Sequence, residues 1–262
     1  MRQPLFRDRR EAGRRLAARL ARFAGQDALV LALPRGGVPV AFEVAQSLGA
    51  ELDVLVARKL GVPGRSELAF GAIAGDERIL DEETVAALGI TREAIAGVEA
   101  EERREADRRT LAYRAGRAAP RVEGRIVVLV DDGVATGSTA KAALRALRRQ
   151  APRLLVFAAP VGPLRAQRDL EDEADQVELA AAPRLFGAVG YWYEDFDATG
   201  DDEVVGLLAA ARKAELATAA PAAESEVAIP AGDDRGDRSH ALTPLHLPVA
   251  REEPPDTYPW GA

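Results

Sequence analysis

Short, wholly apolar runs alternate along this chain with longer stretches in which apolar residues recur every three or four positions. That is the pattern of parallel strands buried on both faces and of the helices that cover them. The runs are Ala28–Leu33 (ALVLAL), Glu51–Ala57 (ELDVLVA), Ile126–Val130 (IVVLV) and Arg153–Ala159 (RLLVFAA), with Gln176–Ala180 as a further strand. Helical spacing covers Phe6–Phe23, where Ala12, Leu16, Leu20 and Phe23 share one face among arginines, and it recurs over Val38–Leu48, Lys141–Arg149, Leu164–Glu173 and Asp201–Leu216. In the last of these Val204, Val205, Leu207 and Leu208 supply the inward face. The alternation predicts an α/β fold, a doubly wound, mostly parallel sheet flanked by helices.

Two regions break the rhythm. Leu68–Ala74 and Ile79–Leu80 read as strands, and a polar helical insertion follows over about residues 81–118. Asp81 is placed to cap a short helix there and Thr91 a long one, whose EAEERREADRR run reads as a solvated face. From Ala217 the composition shifts to Ala, Pro, Gly and charge, with seven of the sixteen prolines between Pro221 and Pro259. The expected organisation is therefore one α/β domain over residues 1–216 and a disordered Ala/Pro-rich tail over 217–262.

Composition narrows the chemistry. The chain of 262 residues is 47% hydrophobic, enough to bury a sizeable core, and its formal charge of −7 gives no electrostatic footprint for a nucleic-acid or membrane partner. With no cysteine, disulfides, thiolate nucleophiles and thiolate metal sites are excluded; the only histidines, His240 and His246, lie in the tail, away from any core triad. No apolar run approaches the length of a membrane span and no signal-peptide pattern follows Met1, so the expected location is the cytoplasm. The arginine-rich first helix keeps an apolar face and the acids Asp8 and Glu11, which suits a helix packed on the sheet or covering a site.

The candidate chemistry gathers where strands end. Ile126–Val130 stops at Asp131-Asp132, and Gly133-Val134-Ala135-Thr136-Gly137-Ser138-Thr139 then leads directly into a helix. Such a loop turns successive backbone N–H groups toward one point at the positive end of the helix dipole, where a phosphate fits, and adds the hydroxyls of Thr136, Ser138 and Thr139. The two carboxylates, a sugar's width away, can accept hydrogen bonds from vicinal hydroxyls. Neither a Gly-Lys-Ser/Thr phosphate loop nor a G-x-G-x-x-G fingerprint is present. The first strand likewise ends at Pro34-Arg35-Gly36-Gly37, and Arg58-Lys59 follows the next strand in RKLGVPG. Both supply cations at the ligand-binding end of a sheet.

VVLVDDGVATGST resembles the phosphoribosyl-pyrophosphate (PRPP) motif of the type I phosphoribosyltransferases, PRGG resembles the pyrophosphate turn of their adenine-type members, and RKLGVPG resembles the Arg-Lys segment of the same enzymes. The similarity spans roughly residues 28–200. It implies that Val134, Ala135, Thr136, Gly137, Ser138 and Thr139 bind the 5-phosphate, that Arg35, Gly36, Gly37, Arg58 and Lys59 bind pyrophosphate, and that Asp131 and Asp132 hold the ribose. It further implies a mobile lid over Gly61–Glu67, with Glu67 as a candidate proton acceptor. A hood over about residues 183–200 would offer Phe186 or Trp192 to stack on a planar acceptor. Mg²⁺ is the implied cofactor, held mainly by PRPP with Asp131 and Asp132 nearby.

The reaction so implied transfers ribose 5-phosphate from Mg·PRPP to a nitrogenous acceptor and releases pyrophosphate. In 6-oxopurine enzymes a carboxylate stands immediately before the Thr-Gly of this loop; here the residue is Ala135, which disfavours hypoxanthine, guanine and xanthine. A regulatory protein that senses PRPP or nucleotides without turnover would carry the same loops and stays open at this point. A phosphatase using Asp131 would require further metal carboxylates and a general acid that the sequence does not provide. The expected partners are PRPP and a small nitrogenous acceptor, with a homodimer allowed and neither nucleic acid nor membrane.

Overall fold

A computed structural model describes residues 3–219; Ser66, Glu67, Thr218 and Ala219 have their backbone in it, but their side chains fall outside the described residues. In chain order the elements are α1 (Arg9–Leu20), β1 (Ala28–Ala32), α2 (Gly37–Leu48), β2 (Glu51–Val54), β3 (Ala57–Val62), β4 (Arg65–Ala74), β5 (Glu77–Leu80), α3 (Glu82–Ala87), α4 (Arg92–Arg114), β6 (Ile126–Val130), α5 (Ser138–Arg148), β7 (Leu154–Val161), α6 (Leu164–Glu171), β8 (Gln176–Ala181) and α7 (Asp201–Ala219). Single 3₁₀ turns lie at Ala21–Phe23 and Val189–Trp192.

Five strands form a parallel sheet in the order β2-β1-β6-β7-β8. Every residue of β1 and β6 is buried, as expected of strands covered on both faces. The period of two along each strand divides these side chains between two layers. Val30, Val128 and Val156 enter the layer beneath α1, α2 and α7, while Leu31, Leu129 and Phe157 enter the layer beneath α5 and α6. Each such aliphatic side chain withdrawn from water contributes roughly 1.5–3 kcal/mol. The doubly wound architecture read from the alternation of runs is the one observed.

Chain order reverses between β1 and β6. The chain leaves β1 toward β2 on one side and returns to β6 on the other, so the loops after these two strands splay apart and open a crevice at their carboxyl ends. The two Gly-containing turns singled out in the sequence, after β1 and after β6, meet at this crevice.

The second sheet corrects the expected course of residues 51–67. β2 ends at Val54, and Ala57–Val62 pairs antiparallel with β4, with the pair joined through Pro63-Gly64. Arg58 and Lys59 therefore sit in a strand of a three-stranded antiparallel sheet, order β3-β4-β5, and the segment expected to be a lid loop is a hairpin. Leu60, Val62, Phe70 and Ile73 provide the reason: they form a separate apolar cluster with Ile95 of α4 that only an antiparallel pairing brings together. The helical insertion follows this sheet. Asp81 caps α3 by accepting the amide of Thr84 at 3.1 Å, and Thr91 caps α4 by accepting that of Ala94 at 3.2 Å. Three long-range bonds fasten the far end of α4: Tyr113 donates to Asp201 at 2.5 Å, and Arg114 donates to Asp53 at 2.8 Å and to the Val54 carbonyl at 3.0 Å. Helix α7 runs to Ala219, past the expected start of the tail at Ala217, because Ala217 and Ala219 favour the helical backbone. The remaining tail, from residue 220, lies outside the described residues.

Candidate active site

The crevice is built on the acid pair that ends β6. The Asp132 amide donates to Oδ1 of Asp131 at 2.8 Å, so the turn itself orients the first carboxylate. The second is held from outside the sheet, where Nε of Arg9 in α1 donates to Oδ2 of Asp132 at 2.8 Å. Burial, and after it the charge of Asp132, pushes the Asp131 carboxyl well above the usual carboxylate range; Lys59 and Arg9 pull against that shift. Burial also raises Asp132, with Arg9 the first opposing influence. A crowded pair of this kind gains from a ligand that supplies hydrogen-bond donors or positive charge.

The turn after β1 is pressed against these acids. A Cβ on Gly36 would lie 1.9 Å from Oδ2 of Asp132, and one on Gly37 would lie 2.8 Å from the Val130 carbonyl oxygen and 3.1 Å from Cα of Asp131. At Gly37 the near atoms are backbone, so close approach calls for glycine; at Gly36 a Cβ would displace the Asp132 carboxylate and its Arg9 partner. The peptide between Pro34 and Arg35 is cis. Arg35 itself is partly exposed, with Nη1 3.6 Å from Asp201 at the start of α7.

The loop after the acids is equally constrained. A Cβ on Gly133 would reach 2.4 Å from Cγ1 of Val189, and the buried Val134 donates its amide to the Val161 carbonyl at 2.9 Å. Gly137 has a φ of 78°, left-handed backbone that suits glycine, and caps α5 without a side-chain bond. The first helical bond is from Lys141 to the Gly137 carbonyl. The amides of Ser138, Thr139 and Ala140 consequently point out of the helix with no intrahelical acceptor. The Thr136 and Ser138 hydroxyls lie 3.3 Å apart beside them, and Ala135 and Thr136 are exposed.

The remaining candidates divide. Lys59 is exposed on β3 and near enough to influence Asp131. Its neighbour Arg58 is turned the other way, with Nε donating to Glu102 of α4 at 2.6 Å. Trp192 is buried in an apolar cluster with Phe6, Ala12, Val161 and Tyr193, and its indole N–H donates to the Phe186 carbonyl at 3.1 Å. The Phe186 ring stacks on it at 6.3 Å. Trp192 therefore serves as a core side chain, leaving Phe186 as the more accessible of the two expected stacking rings. For Glu67 only the backbone, in β4, is described.

Sequence reasoning missed three side chains at the crevice, Arg9, Tyr193 and Phe196. Arg9 bonds Asp132 and the Asp197 carbonyl and lies 3.9 Å over the Phe196 ring. Tyr193 donates its hydroxyl to the Asp132 carbonyl at 2.5 Å and packs against Phe196 with ring centroids 4.9 Å apart. Within α1 nothing in the pattern distinguishes Arg9 from the arginines around it, and only the fold brings residue 9 to residue 132. No group of three or more His, Cys, Asp or Glu side chains able to hold a metal occurs among the described residues. Asp131 and Asp132 give the crevice two carboxylates, the number through which Mg²⁺ is commonly bound together with substrate phosphates. No helix of the described residues is long and apolar enough to cross a membrane.

Comparison with known proteins bears on the family of the chain. The family model of the phosphoribosyl transferase domain matches residues 8–188. Two curated chains of Mycobacterium tuberculosis, from strains CDC 1551 and H37Rv and provisionally named phosphoribosyl transferases, are each 47% identical over 236 residues, covering 87% of this chain and 53% of their own. The chain thus spans about half the length of the curated relatives it matches. The crystal structure of TT1426 from Thermus thermophilus is 42% identical and superposes with a TM-score of 0.63 over 78% of this chain and 97% of that one.

Proposed function

We propose that this chain, which belongs to the phosphoribosyl transferase domain family, binds Mg·PRPP at the β1/β6 crevice and transfers ribose 5-phosphate to a nitrogenous acceptor that is not a 6-oxopurine. One observation carries the reading. The acid pair of β6 and the Gly36-Gly37 turn of β1 are in van der Waals contact at the switch point of the sheet, and the open N-terminus of α5 follows seven residues on from the first acid. A sugar between two anionic groups is the ligand whose parts match that order.

In this reading the amides and hydroxyls of residues 134–139 hold the 5-phosphate. Asp131 and Asp132 accept hydrogen bonds from the vicinal ribose hydroxyls. The Gly36-Gly37 backbone, Arg35 and Lys59 hold the pyrophosphate, and Arg58 can join them only by leaving Glu102. The acceptor nitrogen forms a bond to the ribose C1 as the bond from C1 to the pyrophosphate oxygen breaks, and the electron pair departs with pyrophosphate. Positive charge developing on the sugar lies beside the two carboxylates, and negative charge on the leaving group lies beside the cations. When bound with PRPP, Mg²⁺ would neutralise part of the pyrophosphate charge. The raised carboxyl of Asp131 supports the reading too, since a buried acid pair is poorly compensated until hydroxyl donors and cations arrive.

A nucleobase panel incubated with Mg·PRPP, with pyrophosphate release as the readout, tests the reading. Release is expected with an acceptor lacking the 6-oxo group and not with hypoxanthine, guanine or xanthine. Release driven by a 6-oxopurine contradicts the argument from Ala135.

A further inference from the structure

We infer that Arg9 is a positioning residue for the ribose: from the N-terminal helix it pins one oxygen of Asp132 so that the other faces the sugar. The inference rests on the Mg·PRPP reading above and adds to it a group from outside the sheet loops.

The side chain is fixed on three sides. Nε donates to Oδ2 of Asp132 at 2.8 Å, Nη1 donates to the Asp197 carbonyl at 2.7 Å, and the guanidinium carbon lies 3.9 Å over the Phe196 ring. Only 12% of the Arg9 side chain and 15% of that of Asp132 is exposed. A planar guanidinium held by two acceptors and an aromatic face has little freedom left, so it can set the orientation of its partner.

Its surroundings prepare the contact. The Asp8 carboxylate caps α1 by accepting the Glu11 amide at 2.7 Å, which fixes where residue 9 leaves the helix start. Leu5 and Phe6 donate their amides to the Trp192 carbonyl, and the Phe6 and Tyr193 rings lie 5.4 Å apart. Tyr193 in turn bonds the Asp132 carbonyl. The start of α1 and residues 192–197 thus grip Asp132 by both its carboxylate and its main chain. Asp131 already gives one oxygen to the Asp132 amide. With Arg9 in place one oxygen of each carboxylate is engaged by the protein, and the other face of the pair is assigned to two neighbouring hydroxyls.

Removing the guanidinium should therefore harm ligands that contain the sugar and spare one that does not. Titration calorimetry with ribose 5-phosphate, Mg·PRPP and Mg·pyrophosphate would measure this on the wild type and on Arg9→Met and Arg9→Lys. We expect Arg9→Met to weaken the two sugar ligands about tenfold, the scale of a charge-assisted hydrogen bond, and to leave pyrophosphate within about twofold. Lysine, which keeps the charge but not the planar fork, should recover part of the loss. Unchanged sugar binding in Arg9→Met, or equal losses for all three ligands, would overturn the assignment. If thermal melting shows that the Met variant does not fold, Arg9→Gln is read by the same criteria. A wild type that binds pyrophosphate but neither sugar ligand would instead overturn the functional reading, and this inference with it.

Discussion

Asp132 and Glu102 are both carboxylates paired with an arginine, at 2.8 Å to Arg9 and at 2.6 Å to Arg58, yet they belong to very different surroundings. The first pair is 12% and 15% exposed and lies against the backbone of Gly36, the Tyr193 hydroxyl and the Phe196 ring. The second is 28% and 23% exposed and joins two elements of the antiparallel half, where other pairs such as Arg78–Glu99 and Arg109–Glu105 also run between side-chain ends. Ion pairs of the second kind contribute about 0–1 kcal/mol each and can be exchanged for another partner at little cost. Those of the first kind are fixed by backbone that cannot move alone. The parallel half is built to define one position in space, whereas the antiparallel half holds cations that remain available.

The sharpest way to break this contrast is to force the two turns of the crevice apart. Gly37→Ala puts a Cβ 2.8 Å from the Val130 carbonyl oxygen and 3.1 Å from Cα of Asp131. Because backbone must give way, we expect destabilisation of about 3 kcal/mol, read as a lower urea midpoint. Gly64→Ala in the hairpin meets nothing within 4 Å and carries only the strain of its φ of 75°, about 1–2 kcal/mol. Equal costs at the two positions would refute the claim that the crevice is the rigid part.

Asp131→Asn follows in size. Its carboxyl is raised in the folded chain by burial and then by Asp132, so folding favours the protonated form. The stability this group contributes is present below the ordinary carboxylate range and is lost as pH rises through the raised folded value. Asparagine does not titrate, and its Oδ1 can still accept the Asp132 amide. The variant should therefore gain on the wild type as pH rises above the ordinary carboxylate range. A gap between their urea midpoints that is constant or closes with pH would contradict this.

How much of the molecule is legible in the sequence follows the same division. Ile126–Val130 and the loop to Thr139 are readable because a doubly buried strand, its terminal acids and a helix start are all local patterns, and the observed β6 and α5 differ little from them. The turn at Gly36-Gly37 is readable as a cation-bearing loop, but its contact with Asp132 is not, since it joins residues about a hundred positions apart. Arg58 and Lys59 are expected at a strand's end because the apolar run reaches Ala57. The packing of Leu60 and Phe70 against α4 instead makes residues 57–62 a strand of another sheet. Trp192 is one of two alternative stacking rings in the sequence, whereas the fold supplies the Phe186 carbonyl as acceptor for its N–H and buries it. Arg9 carries no local signal at all.

The smallest effect belongs to the antiparallel half. Glu102→Gln weakens the hold on Arg58 and should change stability by less than about 0.5 kcal/mol while tightening Mg·pyrophosphate by about twofold. Weaker pyrophosphate binding in that variant would show that the pair supports the site rather than restraining a cation.

The central claim is that the β6 acid pair holds the ribose of PRPP, and calorimetric titration of Mg·PRPP into the wild type and the Asp131→Asn, Asp132→Asn double variant tests it most directly. The account predicts saturable binding to the wild type and none detectable to a folded double variant that still binds Mg·pyrophosphate. Absence of Mg·PRPP binding to the wild type, or equal affinity in the double variant, would contradict it.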